Sequence, residues 1–229
     1  MLTTAKIISY DGDCLTLRPE GYIDAELLRK MVDKVELRLV DGRTITADQR
    51  KKAYALMNDI AKWSGHLPEE IKAYSKADFQ AQSGEEDFSL SSCTVDTARE
   101  YITYLVEFCL KHGVPCMDRM LNRTDDISRY LYLCLQYRRC AVCGRPADFH
   151  HCEGSRVGMG RNREEVPAIG AVGMALCRIH HNECHTIGED TFNKKYHLYG
   201  TKLDKHLCDC LGVKGQEEKY AQNNRLSKA

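Results

Sequence analysis

The chain opens with two short runs of β-forming residues, 5–9 and 13–18. They flank Asp11-Gly12, a pair that favours the tight turn of a hairpin. From Tyr22 to Val32 the apolar spacing becomes helical, with Asp24 as N-cap. Val35, Leu37 and Leu39 then alternate with Glu36 and Arg38, the pattern of a half-buried strand over Val35–Val40, and Asp41-Gly42 turns the chain. Thr46 caps a helix from Ala47 to about Ser64 that Gly65 closes. Its Ala53, Leu56, Met57, Ile60 and Ala61 share one face. Residues 66–92 are polar and mixed, and predict no element. Val95–His112 is a second strong helix, with Ala98, Ile102, Leu105, Val106 and Cys109 along one stripe, Gly113 as C-cap and Pro115 as a stop. Tyr130–Gln136 and Phe192–Tyr199 read as further short helices, and the tail from Gln216 as frayed polar chain. The mixture predicts an α+β fold.

Composition narrows this. The chain has 229 residues, 43% hydrophobic and 29% charged, a globular balance with length for one large domain or two ordinary ones. No window approaches 18 uncharged apolar residues, so no membrane span is expected. Acidic residues close behind the N-terminus argue against a signal peptide. A reducing, cytoplasmic setting follows as an expectation; for a phage-encoded chain this is the host cytoplasm. Lys+Arg and Asp+Glu are 33 each, so net charge points to no partner, yet the charge is unevenly spread. Residues 1–120 carry 16 basic and 20 acidic side chains; residues 121–229 carry 17 and 13. Eight of the 12 cysteines lie from Cys134 to Cys210, and five of the nine histidines from His150 to His185. This asymmetry predicts two domains, 1–120 and 121–210, with a boundary near 117–128 and a polar tail over 211–229. In a reducing compartment, clustered Cys and His read as metal sites.

Cys140-x-x-Cys143, followed by Gly144, has the spacing that lets two thiolates wrap one tetrahedral Zn²⁺. Cys177-x-x-His180 supplies the second half-site across a long hairpin, giving a structural Cys₃His zinc. The competing reading of Cys140 and Cys143 is a redox pair. It wants a strand before the motif and a helix opening from it, whereas a helix precedes it here and Gly-Arg-Pro follows. Four histidines are left over. His181 and His185, four apart on a helix, project from nearly one face and can hold one cation. His180 points about 100° away, so one helix can serve two metals on two faces. On a strand, adjacent His150 and His151 face opposite ways, leaving one to ligate a metal and the other to act on a water.

This arrangement, from Cys140 to about Gly200, resembles the HNH, or ββα-metal, nuclease family. The resemblance implies His150, His181 and His185 as ligands of a catalytic divalent cation such as Mg²⁺, Mn²⁺ or Ni²⁺. It implies His151 as general base, with the zinc knuckles as a common decoration. Strand direction alone separates His150 from His151, so their roles could be exchanged. The phage branch of the family also shows a glycine-rich loop after the His pair, matched by Gly158-Met159-Gly160-Arg161-Asn162-Arg163. Many members carry an Asn before the Leu-Cys that opens the helix, and residues 168–173 contain none. Arg156, Arg161, Arg163 and Arg178 surround the site in sequence and suit phosphate.

In the N-terminal half, the strand over 35–40 and the segment with Arg43, Gln49, Arg50, Lys51, Lys52, Trp63 and Gly65 resemble the phage recombination-mediator family called Orf or NinB, over roughly 30–115. That resemblance implies an α/β homodimer that binds single-stranded DNA, with Arg50 and Lys51 as contacts, and that meets the host single-strand-binding protein. Two functions follow. One is a metal-dependent endonuclease acting on single-stranded or branched DNA in phage recombination or replication. The other is a non-catalytic, zinc-containing single-stranded-DNA-binding mediator. The four surplus histidines favour the first.

Overall fold

The computed structural model describes residues 5–19, 43–152 and 168–213. The expected helix over 22–32, the strand over 35–40, the glycine-rich loop and the tail lie outside them. The chain divides into two units, 1–41 and 42–229. In the first, β1 (Ala5–Tyr10) and β2 (Leu15–Pro19) form an antiparallel hairpin with a bulge between Ile7 and Ser9. The Asp11 carboxylate accepts the Cys14 N–H at 2.8 Å, and Gly12 takes φ +98°, the left-handed backbone that Asp-Gly turns require.

The second unit begins with α1 (Ala47–Ser64). Its start is a capping box: the Thr46 hydroxyl accepts the Gln49 N–H, and the Gln49 side chain accepts the Thr46 N–H, each at 3.1 Å. Gly65 ends it in the left-handed region. The sequence assigned nothing to 66–92, yet α2 (Pro68–Ser83) lies there. It starts with Pro at its first turn and Glu70 accepting the Leu67 N–H, and it buries Ile71, Ser75 and Phe79 at four-residue spacing. The thin stripe escaped notice because one member is a serine. The Ser75 hydroxyl lies 2.6 Å from the buried Tyr101 hydroxyl, which satisfies both. α3 (Val95–His112) packs against α1 and α2 through the predicted stripe and Tyr101.

The expected boundary at 117–128 lies inside the second unit. Its residues are tied down: Asp125 accepts from Gln49 at 2.7 Å and Lys52 at 2.8 Å, and Arg123 in α4 (Met120–Arg123) pairs with the buried Asp59 at 3.3 Å. α5 (Ile127–Gln136) packs on α3 and also on β4 (Val172–Leu176), so one core runs from the helices into the sheet. That sheet is antiparallel, ordered β3 (Asp148–His151), β4 and β5 (Thr201–Lys202). α6 (Arg178–Ile187) leaves β4 directly. α7 (Glu189–Tyr196) follows, ending three residues before the expected Tyr199 because His197 turns left-handed at φ +55°. α8 (Lys205–Leu211) closes against α5. Among the described residues, no helix is long and apolar enough to cross a membrane.

Candidate metal centres

The turn between α5 and β3 carries Cys140 and Cys143. The Cys140 N–H donates to the Arg145 carbonyl at 2.8 Å, and the Gly144 N–H to the Cys140 carbonyl at 2.8 Å, winding the chain around the thiols. The Ala141 N–H donates to Ala175 of β4 at 2.9 Å, and the Tyr130 hydroxyl to the Ala141 carbonyl at 2.9 Å, fixing this knuckle to sheet and helix. Across the β3–β4 hairpin, Cys177 caps α6 and His180 lies on its first turn. The four ligand atoms of Cys140, Cys143, Cys177 and His180 all lie within 4.8 Å of one another. Cys143 Sγ is 3.7 Å from Cys177 Sγ. His180 Nδ1 is 3.4 Å from Cys140 Sγ and 3.2 Å from Cys177 Sγ. A tetrahedral zinc with ordinary Zn–S and Zn–N bonds needs edges of about 3.8 Å between sulfurs and about 3.6 Å from sulfur to nitrogen. These three separations lie close to those edges, so the donor set fits a structural zinc.

Electrostatics act on these donors unequally. Burial pushes the Cys140 thiol up to about 12, so a metal must displace its proton. Burial also opposes ionisation of Cys143, but the Arg145 guanidinium, 3.4 Å from its sulfur, brings it below the ordinary thiol value. Burial lowers His180, keeping the imidazole neutral. Arg145 was not apparent from sequence, since the spacing argument weighs only donors to the metal.

The second group forms on the opposite face of α6. Paired strands place His150 opposite Met174 and His151 opposite Gly173. His150, 1% exposed, turns toward α6, where His181 is half-buried and His185 exposed. The three ligand nitrogens lie within 4.8 Å of one another, and the ring centroids are 4.7–5.1 Å apart. His151 faces the other way, edge-on to Phe149 at 4.6 Å between centroids. Between the two strands, the backbone leaves room only for glycine at 173. A Cβ there would run into the Phe149 ring and sit 2.5 Å from the His150 carbonyl oxygen. Burial, then His185 and Arg178, lower His181, so its ring stays neutral and open to a cation. Cys184, buried on α6, brings its Sγ to 3.6 Å from His150 Nε2. Its position three residues after His181 was the signal available in sequence.

The arginines divide. Arg178 is exposed beside this group and 3.5 Å from Asp148. Arg156, Arg161 and Arg163 lie outside the described residues. Arg50 donates to the carbonyls of Leu90 at 2.9 Å and Ser91 at 3.3 Å, while Lys51 is exposed on α1.

A hairpin that delivers a histidine pair, followed directly by a helix with the remaining donors, is a ββα-metal arrangement. A family model described as "Putative HNHc nuclease" matches residues 23–214, more than half of the chain. The chain belongs to this HNH nuclease family. The match also takes in all of residues 30–115, and no finding supports an Orf/NinB domain there. No curated protein and no solved structure matches the chain. Family membership suggests a metal-using nuclease with DNA as substrate.

Proposed function

We propose that the chain is a metal-dependent endonuclease that hydrolyses DNA phosphodiester bonds, with a separate structural zinc. The observation that carries this reading is the second histidine group. A Cys₃His zinc needs four donors, and His150, His181 and His185 form a further set on the other side of the same helix. Family membership supports the same conclusion.

His150, His181 and His185 would hold the divalent cation, Mg²⁺, Mn²⁺ or Ni²⁺, which when bound supplies positive charge for the leaving 3′ oxygen. His151 stands on the opposite face of β3 from the ligand His150. In this reading a neutral ring nitrogen of His151 takes the proton from the attacking water, a task suited to a group titrating near neutrality. Arg178 offers a permanently charged guanidinium at the exposed rim, where a phosphate would approach. Cys140, Cys143, Cys177 and His180 would hold zinc and fix the N-terminus of α6, and with it the spacing of His181 and His185. Attack that expels the 3′ oxygen leaves 5′-phosphate ends. Single-stranded or branched DNA, a role in phage recombination or replication, and a homodimer complete the proposal.

The test is nicking of single-stranded, duplex and branched DNA with each of the three cations, with and without chelator, by wild type and His151→Ala. Metal-dependent cleavage that falls about 10²–10⁴-fold in His151→Ala, with DNA binding kept, supports the assignment. Full activity in both His151→Ala and His150→Ala, or binding without cleavage under any metal, would replace it with the non-catalytic binding protein.

A further inference from the structure

α6 brings one more side chain against His150. Cys184 follows His181 by three residues and precedes His185 by one. At about 100° per residue it lies about 60° round the helix from His181 and about 100° from His185. Burial follows that rotation: His185 is exposed, His181 half-buried and Cys184 1% exposed. His150, also 1% exposed, meets both ends of this arc. Its Nε2 is 3.6 Å from Cys184 Sγ, a separation that suits a hydrogen bond to a large sulfur atom. Its ring centroid is 4.8 Å from that of His181 and 5.1 Å from that of His185. The sulfur is not a further donor to the cation. Among the described residues, the group whose ligand atoms all lie within 4.8 Å of one another is His150, His181 and His185, without Cys184.

What the sulfur does follows from the two nitrogens of one imidazole. In the neutral ring one nitrogen carries the proton and donates, and the other carries a lone pair and accepts. If the Cys184 S–H donated to Nε2, the ring proton would sit on Nδ1, and His150 would have no lone pair left for a cation. If Nε2–H donates to Cys184 Sγ, Nδ1 keeps its lone pair. Ligating histidines generally use their second nitrogen in this way, and the partner fixes both tautomer and ring orientation. A cysteine suits so dry a place, because it packs as a small apolar side chain and still accepts a weak bond. Resting on the reading of the three histidines as the cation site, we infer that Cys184 is a positioning residue for His150. Its sulfur accepts Nε2–H and commits Nδ1 as the nitrogen offered to the cation.

The experiment uses the full chain with its zinc in place. Wild type, Cys184→Ser and Cys184→Val are titrated calorimetrically with Ni²⁺, a cation that imidazole suits. Zinc content and melting temperature check that each is folded. Serine keeps an acceptor and loses apolar bulk, whereas valine keeps the bulk and loses the acceptor. A bond to His150 and plain packing therefore predict opposite orders. Ni²⁺ affinity is expected to fall about 10–100-fold in Cys184→Val and less in Cys184→Ser. Nitrogen-15 spectra of wild type without Ni²⁺, with His150 assigned through the backbone, read the tautomer directly; protonation at Nε2 is expected. Protonation at Nδ1 overturns the inference, as does a valine variant that binds Ni²⁺ as tightly as the serine variant or more tightly. If the variants fail to fold, the wild-type tautomer decides. Wild type that takes up no Ni²⁺ removes the cation site and this inference with it. Ni²⁺ uptake with the wrong tautomer or the wrong order removes this inference only.

Discussion

Replacing Cys140 by serine separates a zinc centre from a mere cluster of buried thiols. Cys140 is fully buried, and its sulfur faces His180 Nδ1 at 3.4 Å. Without zinc, the substitution shortens one side chain and leaves a hydroxyl in a dry place, which costs about 1–3 kcal/mol. With zinc, the loss is larger. Apparent binding energies of structural sites are about 10–16 kcal/mol, so each of four donors carries roughly 2.5–4 kcal/mol. A domain has only about 5–15 kcal/mol of net stability. Stripping the ion with a strong chelator should therefore unfold the knuckle, the β3–β4 hairpin and α6, which the four donors bind together. The assay is thermal melting with metal analysis, on wild type and Cys140→Ser, each with and without chelator. Wild type should carry one zinc and lose well over about 10 °C on chelation, since 1 kcal/mol moves a chain of this size by about 2–4 °C. Cys140→Ser should start near the chelated wild type and barely respond to chelator. Chelated wild type that has lost its zinc yet melts at the temperature of the untreated protein would refute the reasoning. A serine variant that costs only the small figure and still responds to chelator would also refute it.

Three more outcomes follow. His185→Ala should cut cleavage in a way that high Mn²⁺ or Ni²⁺ partly restores, because the lost group holds a charge; His151→Ala should show no such rescue, because the lost group moves a proton. Gly173→Ala should cost about 1–3 kcal/mol by overpacking against Phe149, read as a lower melting temperature, and should weaken cation binding by displacing His150. In protein that keeps its zinc but is freed of the exchangeable cation, His181 titrates below its ordinary 6.5, chiefly through burial. The unfolded chain thus binds protons first. Stability from this group is full above pH 6.5 and is lost as pH falls through its folded value. A melting series from pH 8 to 5 in that state should decline across that window, and a flat series would contradict it.

Much of the fold was legible where a local rule and a long pattern agreed. Thr46, Gly65 and Gly113 bound α1 and α3 as caps, and the apolar stripes read from the sequence are the ones that pack. α2 was not legible, because Ile71, Ser75 and Phe79 make too thin a stripe, and Ser75 earns its burial only through the Tyr101 hydroxyl, 26 residues away. The polar run at 117–128 looked like a linker because its charges are read as solvated. Asp125, Arg123 and their partners Lys52, Gln49 and Asp59 show why that inference fails. A charge that finds a distant opposite charge or amide can sit at the centre of a unit, and nothing local announces it.

The grouping of candidate donors was legible, because metal donors obey spacing. On α6, Cys177 and His180 are three apart, and His181 and His185 four apart. The helical repeat of about 100° per residue therefore divides them between two faces. The adjacent pair His150-His151 was ambiguous in sequence, since a strand fixes only that the two face apart. Register decides only which of the two faces α6. Phe149 and His151 share a face, Phe149 closes over Gly173, and His150 is left on the side of α6 with His181 and His185. A two-residue strand choice is thus set by a glycine more than 20 residues downstream. If His151 is the base, that glycine, which supplies no donor to either metal group, governs which histidine can be one. Exchanging it should disturb cation affinity before it disturbs the zinc.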